Sequence, residues 1–377
     1  MSIIRPFQGL RLCEKFISDK SNQSVTESLF KLDKSEILQA LDSRMYVCDD
    51  MPSYYIYQQV NPKFSTTGLM ALTPIEAVHD ALVKAHEEVI LEKLIITKES
   101  LEQEQVQINP VLLVYEDDIT INKFIDEIIN TLPSTVIISE NETKHKFWVI
   151  NNPEFIEKIN LLYKAIHPIY IGDGHHRIAA ISKLFVEQLD SLNWHKYFFT
   201  ILVPKSKVVV KCYNRILHDL NKYDENEFIF LLQKNFFVTQ INFMDNNLGK
   251  GNLNLYLRNK WYRLILKPGA NINSESLDAL SPFVIENFIL KPLLGNIAQA
   301  YTDKISFIHE EINFYDYLLN NKEDKQIWSA IFSSPLAIDD IFRIADSNKK
   351  VPPNSTWILP KIPNGFINYQ LTTKYSL

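Results

Sequence analysis

The sequence predicts an α+β chain in two domains, and three observations carry that expectation. Runs rich in aromatic and β-branched residues alternate with amphipathic stretches. A length of 377 residues exceeds what one hydrophobic core usually supports. A content of 46% apolar, 12% aromatic and 22% charged residues is that of a folded globular protein rather than a disordered or fibrous one. A soft boundary is expected near residue 192, giving an N-terminal region, 1–192, and a mixed α/β C-terminal domain, 193–377.

Taken in order, the run Ser53 to Val60 is aromatic and β-branched and stops at Asn61-Pro62, as a strand closed by a turn does. From Pro74 to about Gln105 charged and apolar residues interleave, so part of that stretch is expected to be helix. Val111 to Tyr115 is unbroken and apolar, the pattern of a strand covered on both faces. Pro168 to Ile171 reads as a second such strand and leads into Gly172-Asp173-Gly174-His175-His176-Arg177. Beyond it Ile178, Ile181, Leu184, Phe185, Leu189 and Leu192 recur at helical steps and define one apolar face, which ends at Asn193-Trp194-His195-Lys196. Tyr197 to Val203 is a buried-strand pattern. Asn254 to Leu257 and Trp261 to Leu266 flank a polar turn as a hairpin, and Ser281-Pro282 opens a helix.

Charge and composition narrow the function classes. With 39 Lys+Arg against 45 Asp+Glu the formal charge is -6, the wrong sign for gripping nucleic acid through phosphate neutralisation and leaving only a local basic groove for that role. Cys13, Cys48 and Cys212 lie far apart with no CxxC pair, so they suggest buried small residues rather than disulfides or a zinc knuckle. No apolar run approaches the roughly 18 residues that cross a bilayer, and the start shows no secretory pattern, so a cytoplasmic location and no membrane partner are expected.

The chemistry concentrates in the glycine loop. A tight turn between strand and helix leaves the first helical amides without intrahelical acceptors at the positive end of the dipole, which favours an anion. Gly172 and Gly174 permit positive φ and close ligand approach, while His175, His176 and Arg177 supply donors for phosphate oxygens. Asp173 either caps the helix or helps hold magnesium. The bland alternative is a helix start with exposed histidines, but capping needs neither two imidazoles nor a guanidinium. His175 and His176 alone make a poor metal site, since adjacent residues seldom converge on one ion without a further carboxylate or histidine. His86-Glu87-Glu88, taken by itself, is the solvated face of a charged helix. Tyr55, Tyr57 and Trp357 fit either an acceptor pocket or, more commonly for such rings, the core.

The order His86-Glu87-Glu88, the strand at Val111, then Ile169-Tyr170-Ile171-Gly172-Asp173-Gly174-His175-His176-Arg177 resembles the ParB/sulfiredoxin-like module of free-serine kinases, over about residues 74–190 with a long insertion between Glu116 and His167. The remainder resembles a larger domain-of-unknown-function family with the same loop, often labelled ParB-like. That likeness rests on Arg5 to Arg11, on Leu277 to Leu280 through Leu293-Leu294-Gly295, and on Val351 to Trp357 through Pro360 to Gly365. The chain departs from it twice. The usual Pro-Tyr-Asp-Val-type segment is not recognisable between Leu12 and Met51, and Val351 and Asn354 stand where Met and Lys are usual.

The resemblance implies that Gly172, Gly174, His175, His176 and Arg177 hold nucleotide phosphates, that Glu87 and Asp173 are catalytic with Glu87 the general base, and that His86 touches substrate. It further implies ATP or ADP and Mg²⁺ as cofactors, and transfer of a phosphoryl group to free L-serine or a similar small hydroxyl metabolite, or the reverse. The alternatives are a ParB-like nucleotide switch without kinase activity and a phosphatase on the same fold.

Overall fold

Aromatic and β-branched runs supply the strands of this protein, whose computed structural model describes residues 3–13, 35, 39–40, 45–62, 64–138, 143–187, 196–245, 247–268, 276–295, 303–309, 312–320 and 329–371. The architecture is mixed α+β with several sheets. Two compact units emerge: Met1–Ala85, Val89–Val209 and Pro360–Leu377 form one, and His86–Glu88 with Val210–Leu359 the other. The expected boundary at 192–193, the helix end at Asn193 to His195, and the positions Leu189 and Leu192 lie outside the described residues, as does most of the segment after Leu12.

In the first unit a sheet runs in the order Val83–Lys84, Ile169–Asp173, Val111–Tyr115, Tyr197–Pro204, Ser65–Pro74, Tyr54–Val60, Lys144–Ile150, Thr135–Ile138. Val111–Tyr115 lies inside it, antiparallel to Ile169–Asp173 and parallel to Tyr197–Pro204, and all five of its residues are buried. That explains its unbroken apolar sequence, since both faces are covered. Helices Ile119–Thr131 and Pro153–Lys164 start where the side chains of Asp118 and Asn152 accept first-turn amides, with Pro153 in the first turn. Their apolar faces pack with Ile178, Ile181 and Leu184 into one core. A smaller sheet joins the chain's two ends, Gly9–Leu12 pairing antiparallel with Ile367–Gln370.

In the second unit the order is Phe236–Ile241, Lys260–Leu266, Leu253–Leu257, Ser329–Ser333, Val209–Leu217, Ile305–His309, with Thr356–Leu359 paired to Val209–Leu217. The expected hairpin is present, and its turn residues Arg258 and Asn259 both take positive φ, at 42° and 67°, as a two-residue turn with the right twist requires. Helix Glu225–Gln233 carries a full capping box from Asp224 and Glu227. The helix expected at Ser281 runs Ser281–Ile285, passes through a π segment at Glu286–Leu290 and continues to Leu294. Leu280 rather than Ser281 occupies its cap. Among the described residues no helix is long and apolar enough to cross a membrane. Cys212 is buried, while Cys13 and Cys48 are only half-buried, and none of the three is in a disulfide.

Candidate functional site

The predicted residues fall into two groups, 172–177 in the first unit and His86 with Glu87 in the second. The glycine loop is tighter than its sequence suggests. The strand continues through Gly172 to Asp173, and helix His175–Glu187 begins two residues later, so Gly174 alone makes the turn, at φ 101°. Gly172 does not take positive φ. It is needed because a Cβ there would stand 3.0 Å from side-chain carbons of both Leu112 and Val114 on the adjacent strand. The close approach permitted by Gly174 is used within the protein, since a Cβ there would meet the Arg177 guanidinium at 2.9 Å.

Arg177 turns back beneath the loop. Its Nη1 donates to Asn109 O and Pro110 O at 2.7 Å and to Asn109 Oδ1 at 2.9 Å, and its Nη2 donates to Asp173 Oδ2 at 2.7 Å. Lys361 reaches the other oxygen, Oδ1. Burial works to raise the Asp173 pKa, but the Arg177 and Lys361 charges outweigh it and hold the carboxyl below its usual range. His175 is buried. His176 is half-buried, and its Nε2 accepts the Ile90 amide at 2.9 Å, which assigns a neutral ring with its proton on Nδ1. Burial first, and then the Lys93 charge, lower its pKa in the same sense. The guanidinium thus fixes the loop's backbone, and the 13-residue helix leaves its first amides without intrahelical acceptors, as any helix start does.

His86 and Glu87 are not on a solvated helix. Residues 85–90 lie in no helix, Glu87 bridges Val351 in parallel, and the Val351 amide donates to His86 O at 2.8 Å while the Glu88 amide donates to Val351 O at 2.9 Å. His86 is fully buried and Glu87 7% exposed. Three successive amides converge on the carboxylate: Asn354 N donates to Oε1 at 3.0 Å, and Ser355 N and Thr356 N donate to Oε2 at 3.1 Å. The Thr356 hydroxyl donates to Oε2 at 2.9 Å, so its oxygen accepts from His86 Nε2, also at 2.9 Å. Burial pushes the Glu87 carboxyl up to about 7 despite the lowering pull of these four hydrogen bonds. Oε2 takes three of them and Oε1 one, which makes Oε1 the oxygen with acceptor capacity to spare.

Asn354 contributes its backbone amide to the Glu87 cradle and takes φ 53°, a conformation asparagine tolerates. Sequence reasoning missed Lys361 and Thr356 as site residues, although both lie in the C-terminal stretches that carry the family resemblance. Tyr55 and Tyr57 are core residues, at 0% and 1% exposure, whereas Trp357 is half-buried.

A family model described as "Protein of unknown function (DUF1015)" matches residues 5–282. No curated protein matches the chain. Among solved structures, a conserved hypothetical protein from Pyrococcus furiosus is similar at 16% identity and a TM-score of 0.43, over 80% of this chain and 95% of its own. A glutamate-to-alanine variant of a free serine kinase in complex with ADP is similar at 15% identity and 0.43, over 78% of this chain and 89% of its own. SbnI with C-terminal truncation, from Staphylococcus aureus, is similar at 11% identity and 0.42, over 78% and 85%.

Proposed function

The chain belongs to the DUF1015 family, and on that footing we propose that it is a nucleotide-dependent phosphotransferase acting on a small hydroxyl metabolite, most simply free L-serine giving O-phosphoserine, or the reverse. The observation that carries this reading is Glu87: a buried carboxylate with a pKa near neutrality and one oxygen left open for a proton. Phosphoryl transfer asks little of a protein beyond positioning, charge neutralisation and one such acceptor for the hydroxyl proton.

In this reading residues of about 74–190 form a ParB/sulfiredoxin-like module. ATP or ADP, when bound, supplies the phosphoryl group. The amides at the start of helix His175–Glu187 and the His176 Nδ1–H hold its phosphate oxygens, and Gly172 and Gly174 give the loop its shape. Arg177 positions the loop through Asn109, Pro110 and Asp173. His86 orients the Thr356 hydroxyl, which in turn fixes Glu87. Direct magnesium ligation does not fit Asp173, because its two oxygens are already held by the cations Lys361 and Arg177. Among the described residues no group of three or more His, Cys, Asp or Glu is placed for a metal.

The test is direct. Purified protein with Mg²⁺, ATP or ADP, and L-serine is expected to yield O-phosphoserine by ³¹P NMR, with Glu87→Gln slowing it by about 10²–10⁴-fold. No product from a panel of amino acids and hydroxy metabolites, with either nucleotide, rejects the reading. A second reading has its own observation: four donors on Glu87 are also what a structural staple of the 354–356 turn would show. A staple predicts that Glu87→Gln changes the melting temperature and leaves the pH profile of turnover unmoved.

A further inference from the structure

Arg215 is the largest fully buried side chain of the described residues, at 1% exposure. A guanidinium carries five donors and a permanent charge, and a buried one is normally matched to a carboxylate. Arg215 has no such match among the described residues. Its Nη2 donates to Ser355 Oγ at 3.1 Å and its Nη1 reaches Tyr213 O at 3.5 Å, both neutral acceptors, while its buried Nε has no acceptor. The Phe307 ring, with its centroid 6.0 Å from the guanidinium carbon, is the remaining partner.

Burial around Arg215 loosens on one side. Along strand Val209–Leu217 alternate residues share a face, and on it exposure rises from buried Leu217 through Arg215 to half-buried Tyr213. Arg215 is thus the last fully buried residue on this face. On the neighbouring strand Phe307 and His309 pair with Arg215 and Tyr213, and both are half-buried. Trp357 stacks on His309 at 4.3 Å and meets Tyr213 edge-on at 5.3 Å. His309 Nδ1 is a second buried nitrogen without a hydrogen-bond partner. Half-buried rings beside unmatched nitrogens supply the apolar lining and the few polar groups that small-ligand sites combine. Ser355 ties this site to the carboxylate already described: its Oγ accepts from Arg215 and its amide donates to Glu87 Oε2.

We propose that Arg215 binds the carboxylate of the acceptor, so that the phosphorylated substrate is a short hydroxy acid, with an amino acid included, rather than an amino alcohol or a sugar. This deepens the phosphotransferase reading and rests on it for the reaction, but not for the anion site. A planar fork suits a carboxylate or a phosphate, and it gives two-point recognition when bidentate.

The experiment compares L-serine with L-serinamide and ethanolamine, which keep the hydroxyl and lose the carboxylate. The wild-type protein is expected to favour L-serine by about 100-fold in kcat/KM, in line with loss of a charge-assisted hydrogen-bonded pair. Arg215→Met should abolish that preference, raising KM for L-serine far more than it changes turnover of serinamide; Arg215→Lys should restore only part of it. Equal loss on all three acceptors assigns Arg215 a structural role and overturns the proposal. So does a wild-type protein that does not distinguish serine from serinamide, a result that stands even if Arg215→Met fails to fold. If the wild type transfers phosphate to none of them, the reaction is wrong, and the anion site is read by NMR titration with acetate, L-serine and inorganic phosphate. Binding of acetate or L-serine that Arg215→Met removes sustains the site; binding of phosphate alone, or of none, ends it.

Discussion

Glu87 and Asp173 are both carboxylates held by several donors, one in each unit, and they are satisfied in opposite ways. Asp173 is met by two formal charges, Arg177 and Lys361, and its pKa falls. Glu87 is met by three backbone amides and a hydroxyl, none of them charged, and its pKa rises to about 7. Dipoles satisfy the hydrogen-bonding geometry of a carboxylate without repaying the loss of water around its charge, whereas a neighbouring cation repays it directly. The chain thus keeps one carboxylate ionised at neutral pH as a clamp and leaves the other able to exchange a proton there. The two can be set apart experimentally.

The largest effect is expected from breaking the clamp at its cation. Arg177→Met removes one ion-pair partner and strands the Asn109 and Pro110 carbonyl oxygens that Nη1 serves, and the expected loss is about 3–5 kcal/mol, read as a lower urea midpoint with an unchanged slope. A loss under about 1 kcal/mol would mean that the guanidinium is dispensable to the loop and free for another role.

The second effect sharpens the other side. A carboxyl whose folded pKa lies above its unfolded value binds its proton more tightly when folded. Its contribution to stability is therefore complete below about 4.5 and is lost as pH rises through about 7. For Glu87 the change is of the order of 3 kcal/mol, from 1.36 kcal/mol for each pKa unit. Urea midpoints of wild type and Glu87→Gln at pH 5 and pH 8 isolate it, since groups other than Glu87 cancel in the difference between the two proteins. The same titration governs turnover under the phosphotransferase reading, with activity rising through pH 7 as Oε1 becomes available. A wild-type and variant pair with parallel stability profiles would show that Glu87 is ionised throughout.

How much of this was legible in the sequence follows from distance along the chain. The strand, turn and helix around residues 168–184 were readable because each signal is local: an apolar run, a glycine pair and helical spacing. The i,i+4 relation of Asp173 and Arg177 was equally local, although which way the guanidinium points was not. Taken by itself, His86-Glu87-Glu88 reads as a solvated helix face, and only the resemblance marks it, because the partners of Glu87 lie 267–269 positions away in the stretch Asn354 to Thr356, and composition gives no hint of such pairing. Arg215 carried no signal at all, standing in a strand of ordinary composition, and only its burial without a counter-ion marks it.

A smaller effect tests the packing beneath the clamp. Gly172→Ala places a methyl group 3.0 Å from Leu112 and Val114 carbons, so the neighbouring strand must yield by a few tenths of an ångström, at about 1–3 kcal/mol in thermal or urea unfolding. No loss would indicate that the bulge between Ile171 and Asp173 absorbs the extra carbon.

The smallest effect is expected at Lys361, and it separates the clamp's two cations. Lys361 and Asp173 are each about a third exposed, so their attraction is screened by solvent and salt, whereas Arg177 also satisfies backbone oxygens that water does not reach as readily. Lys361→Met should therefore cost under about 1 kcal/mol, and the deficit should shrink further in 0.5 M NaCl. It should also let the Asp173 pKa climb toward its ordinary value, because one of the two lowering charges is gone. Stability owed to a lowered carboxyl pKa is present above the unfolded value and lost as pH falls through the folded one, so the variant's extra weakness belongs at neutral pH and should vanish in acid, once pH has fallen through the folded value. A Lys361→Met deficit as large as that of Arg177→Met, and insensitive to salt, would place the two cations on an equal footing and remove the distinction between them.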